Sequence, residues 1–359
     1  MSLPRLFNKL LLRPEDLPPS REDLRVVGVF NPGAVKSGDR ILLLVRVAEA
    51  VAERRPGMEG LPRWDPDRGE LTVDWFQEEE LERPDPRLRR VKAEDVIRLA
   101  FISHLRLVEL DEGKEIRRVS GPLFVPETPF EEYGVEDPRI TPLDGRFQIA
   151  YVAVSRHGAA TALAATDDFQ SFERRGIIFP PENKDVALFP ERVGGAACAL
   201  HRPTPMTRFS APEMWIARSE DLVHWGGHQP LAGGGGAWEA GRVGGGAPPW
   251  RVSEGWLTIY HGNERVSGKV GRYAAGAMLL DLENPSRVLG RSEAIMVPEQ
   301  DFERKGFLPN IVFPTGAVPC DDTALIYYGA ADCFTAVAEF RQRDLLNAAR
   351  SAPQRLRRR

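Results

Sequence analysis

The amino-acid sequence predicts an all-β protein that folds as a five-bladed β-propeller with a short C-terminal helix. Two recurrences in the 359 residues predict this fold. The first is a polar or glycine-containing turn, followed by a short apolar run that ends in a polar side chain, and it occurs five times. The second is a Ser/Thr-x-Asp-apolar-x-x-aromatic segment that begins at Thr166 and again at Ser219. Repeats of about 50 residues that carry several strands each are typical of propeller blades.

The five apolar runs predict strands, because β-branched and aromatic residues fill them and turn residues bound them. In a propeller the inner strands line a central channel, so we expect the polar ends of the runs to meet at one mouth. In chain order the runs and their polar ends are 41–45 with Arg46, 147–152 with Ser155 and Arg156, 196–200 with His201 and Arg202, 256–260 with His261, and 323–328 with Asp332.

The whole chain, residues 1–359, is predicted to form one domain. Residues 1–25 contain several prolines and predict an extended N-terminal strap. The first and second runs are about twice as far apart as the others, so residues 51–100 are predicted to be an insertion outside the core. Their charge runs of both signs favour a solvated excursion. A lid over the site or a contact between subunits is the alternative.

Toward the C-terminus the sequence predicts a loop, a helix and a tail. The glycine- and proline-rich segment 233–249 lacks the Gly-Lys-Ser/Thr ending of a phosphate-binding loop, which favours a connecting loop. Residues 345–349 predict a short helix. The basic tail, residues 351–359, is predicted to be disordered.

Composition excludes several classes of protein. The chain has 48 Lys+Arg against 52 Asp+Glu, a formal net charge of -4, which argues against a nucleic-acid binder with a basic field. The three cysteines have no CxxC spacing, so neither a zinc site nor a disulfide framework is indicated, and no other metal site is predicted. No apolar run is long enough to cross a bilayer, and the N-terminus lacks the apolar region of a signal peptide. We therefore expect a cytoplasmic protein without membrane partners.

The stretch 133–141 is the strongest candidate for a catalytic segment. Gly134 permits backbone angles closed to other residues, and Pro138 biases Asp137 towards an extended conformation. A carboxylate on such a stiffened turn can be aimed at a substrate with little loss of entropy. The alternative is an exposed turn in which Glu136 and Arg139 form an ion pair worth about 0–1 kcal/mol.

The polar ends of the predicted strands contain several cations and few acids. Arg46, Arg156 and Arg202 would converge, and Lys184 lies nearby in the Asn183-Lys184-Asp185 segment. Such a cluster suits a phosphate, because arginine offers paired donors to phosphate oxygens. Each residue taken alone could be an ordinary charge at a strand edge.

Several segments together resemble glycoside hydrolase family 130, across most of residues 26–338. The resemblance implies a five-bladed β-propeller that acts on β-mannosides, in most members as an inverting phosphorylase. The matching segments are Asn31-Pro32-Gly33-Ala34, Gly134 to Thr141, Pro181 to Asp185, Leu188 to Glu191, His201-Arg202-Pro203, Tyr260-His261-Gly262, Asp281 to Ser286 and Tyr328 to Asp332.

The resemblance also implies roles for individual residues. Asp137 would be the acid, with its proton reaching the leaving oxygen through a sugar hydroxyl, and inorganic phosphate would be the nucleophile without any further cofactor. Phosphate already carries charge, so cations can take the place of the base that inverting hydrolysis needs. The phosphate side would comprise Arg156, Lys184, Arg202 and His261, and the substrate side Asn31, Arg46, Glu136, Arg139 and Asp332.

Two departures from the family pattern leave details open. The segment 155–160 around Arg156 is only loosely similar, and the 51–100 insertion would reshape the end of the site that receives the acceptor sugar. The glycosidic linkage therefore stays open, as does a homo-oligomeric state.

Two other functions also stay open. One is a β-mannoside hydrolase in which Asp137, Glu191 or Glu239 works on water. The other is a propeller that only binds a glycan or a protein.

Overall fold

The computed structural model describes residues 2–351 except Met206, Arg208, Gly268 and Lys269. Regular structure in these residues is almost entirely β, which confirms the all-β class. There are only two α-helices in the described part of the chain, α1 (Asp301–Arg304) and α2 (Gln342–Ser351), and α2 corresponds to the predicted C-terminal helix. Four short 3-10 helices span Pro14–Asp16, Glu78–Glu80, Pro129–Glu131 and Ala237–Glu239. The predicted disordered tail beyond Ser351 lies outside the described residues.

The first two antiparallel units share one large sheet. Unit 1 consists of β2 (Leu24–Ser37), β3 (Arg40–Val51), β9 (Ile102–Asp111) and β10 (Glu115–Val119). Unit 2 consists of β11 (Gly134–Leu143), β12 (Arg146–Ser155), β13 (Gly158–Thr166) and β14 (Glu173–Phe179). A single parallel pair, Gly134 with Ser103, joins the two units.

Three further units are separate antiparallel sheets. Unit 3 comprises β15 (Asn183–Leu188), β16 (Ala197–Pro203), β17 (Met214–Ser219) and β18 (Gly226–Ala232). Unit 4 comprises β19 (Arg242–Gly245), β20 (Trp250–Val252), β21 (Gly255–Asn263), β22 (Tyr273–Leu280) and β23 (Val288–Arg291). Unit 5 comprises β24 (Val312–Cys320), β25 (Thr323–Ala330) and β26 (Phe334–Arg341), and the N-terminal β1 (Phe7–Leu12) completes it by pairing with β26.

The insertion between β3 and β9 contains two small sheets. The first is a hairpin of β4 (Met58–Asp65) and β5 (Glu70–Gln77), and the second contains β6 (Leu81–Glu82), β7 (Leu88–Val91) and β8 (Val96–Leu99). Leu61, Leu81 and Val91 form a small apolar cluster of their own.

Apolar packing joins each unit to the next. Five of the buried clusters each contain residues of two units: Leu44 with Ile149 for units 1 and 2, Leu163 with Leu188 for units 2 and 3, Leu200 with Met278 for units 3 and 4, Leu257 with Ile326 for units 4 and 5, and Leu43 with Val337 for units 1 and 5. The fifth unit therefore packs against the first as well as the fourth.

The two recurrences in the sequence have clear structural causes. The five predicted runs are β3, β12, β16, β21 and β25, each of which pairs with the first strand of its unit. The Ser/Thr-x-Asp motif connects third and fourth strands: the side chains of Thr166 and Ser219 accept hydrogen bonds from backbone N–H groups three residues on. Asp168 and Asp221 likewise accept backbone N–H bonds from the two and three residues that follow. Such side-chain turns replace backbone pairing at tight corners.

None of the helices in the described residues is long and apolar enough to cross a membrane.

Candidate functional site

A cavity of about 320 Å³ brings together residues from all five units. First and second strands both contribute, so the polar ends of the runs do meet, as expected. Eight of the ten residues predicted from the sequence line this cavity, namely Asn31, Arg46, Glu136, Asp137, Lys184, Arg202, His261 and Asp332.

A repeated backbone irregularity places three of the polar side chains. The first strands of units 1, 2 and 3 each contain a register shift that spans two residues, and the first of the two has a left-handed backbone: φ is 51° at Asn31, 48° at Asp137 and 59° at Asp185. Asparagine and aspartate tolerate this conformation better than other non-glycine residues. A bulge redirects the side chain of the strand that carries it, and here three polar residues are presented at equivalent positions.

Arg46 and Asn31 hold the Asp137 carboxylate. Asn31 Nδ2 donates to Asp137 Oδ1 at 2.8 Å, and Arg46 Nη1 donates to the same oxygen at 3.0 Å. Arg46 also donates to Glu136 Oε1 at 2.6 Å and lies 4.5 Å from the ring centroid of Phe30. Both ends of this buried guanidinium are therefore fixed before a substrate arrives.

The surroundings of Asp137 favour its charged form. Burial alone would raise the pKa of its carboxyl group. The charges of Arg46 and Arg139, the hydrogen bond from Asn31 and the charge of Lys184 outweigh burial and lower that pKa below its ordinary value. Without substrate, Asp137 is therefore an ionised acid.

Asp185 organises the cations beneath the cavity. It accepts a hydrogen bond from Arg202 Nε at 2.6 Å and one from Arg139 Nη2 at 3.3 Å. Burial opposes ionisation, but the charge of Arg202, the neighbouring His261 and the charge of Arg139 hold the pKa of Asp185 well below its usual range. Arg139 also donates to the backbone oxygen of Asp137 at 2.9 Å and does not line the cavity, so it positions the acid from below.

Lys184 and His261 are two side chains of the predicted set that make no hydrogen bond to a residue that the structure describes. Lys184 makes no hydrogen bond or ion pair with any residue that the structure describes. His261 is fully buried, and neither ring nitrogen has a hydrogen-bond partner among those residues. Its Nε2 lies 3.4 Å from Asp185 Oδ2 without hydrogen-bond geometry. Burial lowers the pKa of His261, although the charge of Asp185 acts in the opposite direction, so the imidazole is neutral.

Asp332 follows β25 in a left-handed conformation, with φ of 47°. It forms no ion pair within the described part of the chain. Burial raises the pKa of Asp332 to about 6, because the nearby charges of Arg87 and Arg46 offset the loss of hydration only in part. The loss of hydration of the buried Asp332 carboxylate is thus only partly compensated by nearby positive charge.

Arg156 does not join the cluster, which corrects the expectation from the sequence. It is half exposed, pairs with Glu132 at 2.7 Å and lines a separate surface pocket. The reason is strand register. Arg46 and Arg202 stand opposite the residue that precedes the bulge in their units, whereas Val152 occupies that position in unit 2. Arg156 lies four residues further along, in the turn between β12 and β13.

The two alternative acids also lie away from the cavity. Glu191 forms an exposed ion pair with Arg251 at 2.7 Å. Glu239 is buried against Arg291 and accepts a backbone hydrogen bond from Gly235 at 2.8 Å. Neither carboxylate lines the cavity that contains Asp137.

The sequence analysis missed four polar residues that contribute to the site. Asp185 organises the cations, and Arg87, Arg242 and Tyr273 line the cavity. Arg242 Nε is buried without a partner among the described residues. Asp185 shares its bulge position with Asn31 and Asp137, but this equivalence comes from the pairing of the strands. No local signal marks the other three either. The described residues contain no group of three or more His, Cys, Asp or Glu side chains placed to hold a metal ion.

Comparison with known proteins gives consistent matches. The glycoside hydrolase family 130 model, described as beta-1,4-mannooligosaccharide phosphorylase, matches residues 90–351. The chain is 36% identical over 353 residues to a beta-1,2-mannobiose phosphorylase of Listeria innocua, covering 97% of this chain and 98% of that protein. It is 37% identical over 250 residues to a 1,2-beta-oligomannan phosphorylase of Thermoanaerobacter, covering 68% and 81% of the two chains.

A solved structure extends the similarity to the fold. The Listeria innocua beta-1,2-mannobiose phosphorylase in complex with beta-1,2-mannobiose superimposes with a TM-score of 0.88 at 36% identity. The match covers 94% of this chain and 96% of the other.

Proposed function

Because the chain belongs to glycoside hydrolase family 130, we propose that it is a phosphorylase that cleaves β-mannosides with inorganic phosphate. The mannosyl unit is transferred with inversion to a phosphate oxygen, and α-mannose 1-phosphate and the remaining saccharide leave. One observation carries the proposal. The cavity that holds Asp137 also holds Lys184, which makes no ion pair in the described part of the chain, and the buried His261, whose ring nitrogens make no hydrogen bond there, and an anionic nucleophile requires such donors.

Phosphate binds to the cations of units 3 and 4. Arg202 is oriented by Asp185 and by Thr204, which accepts from its Nη1 at 2.8 Å, so its Nη2 can bind a phosphate oxygen. Lys184 lies directly across the strand pair from Arg202. With His261 they supply donors from three directions, and charge-assisted bonds of this kind are about twice as strong as neutral ones. Arg242 is a fourth donor for the same anion.

Asp137 supplies the proton for the leaving oxygen, through a hydroxyl of the mannosyl unit. In the empty site its pKa is lowered partly by Lys184. A bound phosphate offsets that positive charge and adds negative charge of its own, so the pKa of Asp137 rises when phosphate arrives. Binding of the nucleophile thereby favours the protonated acid that cleavage needs.

The mannosyl unit is held by Asn31, Arg46 and Asp332. Asn31 Oδ1 is buried without a partner among the described residues, and the Asp332 carboxylate has no cation in contact, so both can accept hydrogen bonds from sugar hydroxyls. Glu136 keeps Arg46 in place, and Arg139 does the same for the backbone of Asp137. The roles of Glu136 and Arg139 are therefore in positioning.

A β-mannoside hydrolase is the second candidate, and Asp332 is the observation that favours it. A carboxylate with a pKa near 6 can act as a base on water, and inverting hydrolysis needs such a base in addition to the acid. Phosphorolysis is preferred because hydrolysis assigns no task to Lys184 or His261.

Incubation with β-1,2-mannobiose in the presence and absence of phosphate tests the proposal. We expect α-mannose 1-phosphate and mannose in equal amounts with phosphate, and little cleavage without it. Release of mannose at the same rate in both samples would instead establish a hydrolase. An Asp137→Asn variant serves as the matched control for contaminating activity.

We further propose that the five units are the blades of a propeller around this cavity. The packing of unit 5 against unit 1 and the pairing of β1 with β26 support a closed ring. A cytoplasmic location is supported by three free cysteines in the described residues. Phosphate is proposed as a co-substrate with no further cofactor, and a homo-oligomer remains a prediction.

A further inference from the structure

The 51–100 insertion reaches the proposed active site. Three of its residues, Arg87, Leu88 and Leu99, line the same cavity as Asp137 and Asp332. Leu88 and Leu99 are paired across β7 and β8, so the small sheet places all three on one side of the cavity. The insertion is therefore a wall of the site in addition to an excursion from the core.

Arg87 is fixed in place before any ligand binds. Its backbone N–H donates to Asp85 Oδ1 at 2.7 Å, and its Nη2 donates to Asp85 Oδ2 at 3.0 Å. Its backbone oxygen accepts a hydrogen bond from the backbone N–H of Ala100 at 2.9 Å. The remaining amino group, Nη1, makes no hydrogen bond to any residue that the structure describes. A guanidinium held in this way loses little conformational freedom when it binds a ligand.

The position of Arg87 is at the open end of the cavity. A larger cleft of about 830 Å³ is lined by Pro86 and Arg89, the neighbours of Arg87 in the insertion. The cleft and the cavity share Val27, Phe101 and Phe307 as lining residues, so the cleft begins where the cavity ends. The mannosyl unit lies beside Asp137, and the rest of the saccharide has to extend toward this opening.

Arg87 and Asp332 carry opposite charges across the cavity. The charge of each group affects the pKa of the other, yet the two groups do not form an ion pair. A sugar hydroxyl fits such a gap, because it can donate a hydrogen bond to a carboxylate and accept one from a guanidinium. Phosphate fits less well, since Glu136, Asp137 and Asp332 would repel it.

We propose that the insertion forms the leaving-group side of the active site and that Arg87 binds a hydroxyl of the leaving saccharide. This inference rests on the proposed phosphorylase function. It makes Arg87 a residue that determines affinity for the acceptor sugar, while phosphate is bound at the opposite side by the cations of units 3 and 4.

Synthesis from α-mannose 1-phosphate and mannose separates the two sides of the site. For Arg87→Ala we expect the KM for mannose to rise by about ten- to hundredfold, the usual effect of losing a charged hydrogen bond. The KM for α-mannose 1-phosphate should change by less than about twofold, and Arg87→Lys should lie between Arg87→Ala and the wild type. Arg90→Ala is the matched control, because Arg90 lies on β7, three residues after Arg87, is exposed and pairs with Asp95 outside the cavity.

The inference is overturned if the KM for mannose is unchanged in a folded Arg87→Ala protein, or if both KM values rise together. Thermal unfolding by circular dichroism establishes that the variant is folded, and if it is not, the same criteria apply to Arg87→Lys, which keeps the charge. A wild-type protein that is inactive in both directions overturns the proposed function and this assignment with it. An active wild type with an unaffected Arg87 variant overturns this assignment alone.

Discussion

Replacement of Lys184 by alanine is the sharpest test of phosphate recognition. Lys184 lies on β15 directly before the Asp185 bulge and has no ion-pair partner among the described residues. Its removal therefore leaves no buried carboxylate unpaired, in contrast to removal of Arg202, which would expose Asp185 to an uncompensated burial cost. A lost charge-assisted contact is worth about 1.5–3 kcal/mol, so the KM for phosphate should rise roughly ten- to hundredfold.

The assay measures initial rates of α-mannose 1-phosphate formation at varied phosphate and saturating β-1,2-mannobiose. We expect the KM for the mannoside to change by less than about threefold, since Lys184 is assigned to the anion. Sulfate should inhibit the wild type in competition with phosphate, and should inhibit the variant more weakly, because both are tetrahedral anions. Lys305→Ala is the matched control, since Lys305 is 77% exposed and forms a surface ion pair with Asp301.

One result would refute the reasoning. If the Lys184→Ala protein keeps the phosphate KM of the wild type while both release mannose at full rate without phosphate, the cation cluster is structural. The enzyme would then be a hydrolase.

Three more predictions follow from the same geometry. Asp137→Asn should lower kcat by about 10²–10⁴ in a protein that stays folded, because a proton donor is lost and the shape is kept; near-normal turnover would assign the acid elsewhere. Gly329→Ala would place a Cβ 1.9 Å from Asn31 Oδ1, so we expect kcat/KM for the mannoside to fall at least about tenfold while the KM for phosphate is kept. Asp332→Asn should abolish activity yet stabilise the protein at pH 8 by about 1–3 kcal/mol, measured by urea unfolding. The pKa of Asp332 is raised to about 6 in the folded protein, so its ionisation between about pH 4 and 6 lowers the free energy of unfolding of the wild type, and asparagine removes that loss. The gain should vanish near pH 4, and a gain that is independent of pH would contradict this reasoning.

Local patterns in the sequence were sufficient to predict the strands and to identify the family. Each predicted run became a strand of one unit, because alternation of turns and apolar runs depends only on neighbouring residues. The prediction of glycoside hydrolase family 130 is confirmed by the family match. The glycine and proline around two acids marked the segment of Asp137, and the family resemblance assigned it as the acid. The segment is a bulged strand and not the predicted turn, and Asp137 is left-handed, with φ of 48°, where an extended conformation was expected.

Tertiary geometry explains what the sequence analysis missed. Arg156 was chosen because it ends an apolar run as Arg46 and Arg202 do. Strand register decides which residue stands opposite a bulge, and register cannot be read from a single strand. Arg87 reaches the cavity from an insertion whose charge pattern resembles any solvated surface. The contact of Arg87 with the site depends on how the two small sheets of the insertion pack back against the cavity.

The charged groups of the site fall into two sets, and the difference indicates their tasks. Arg46 is hydrogen-bonded to Glu136, and Arg139 and Arg202 are hydrogen-bonded to Asp185, so these five residues form a rigid frame. By contrast, four of the eight buried polar side-chain atoms without a partner in the described residues belong to Asn31, Arg242 and His261, which all line the cavity. Polar atoms that the protein itself leaves without a partner are available to bond to a ligand. We therefore expect sugar hydroxyls and a tetrahedral anion to supply these partners, so the second set defines the ligands and the first set holds the site in shape.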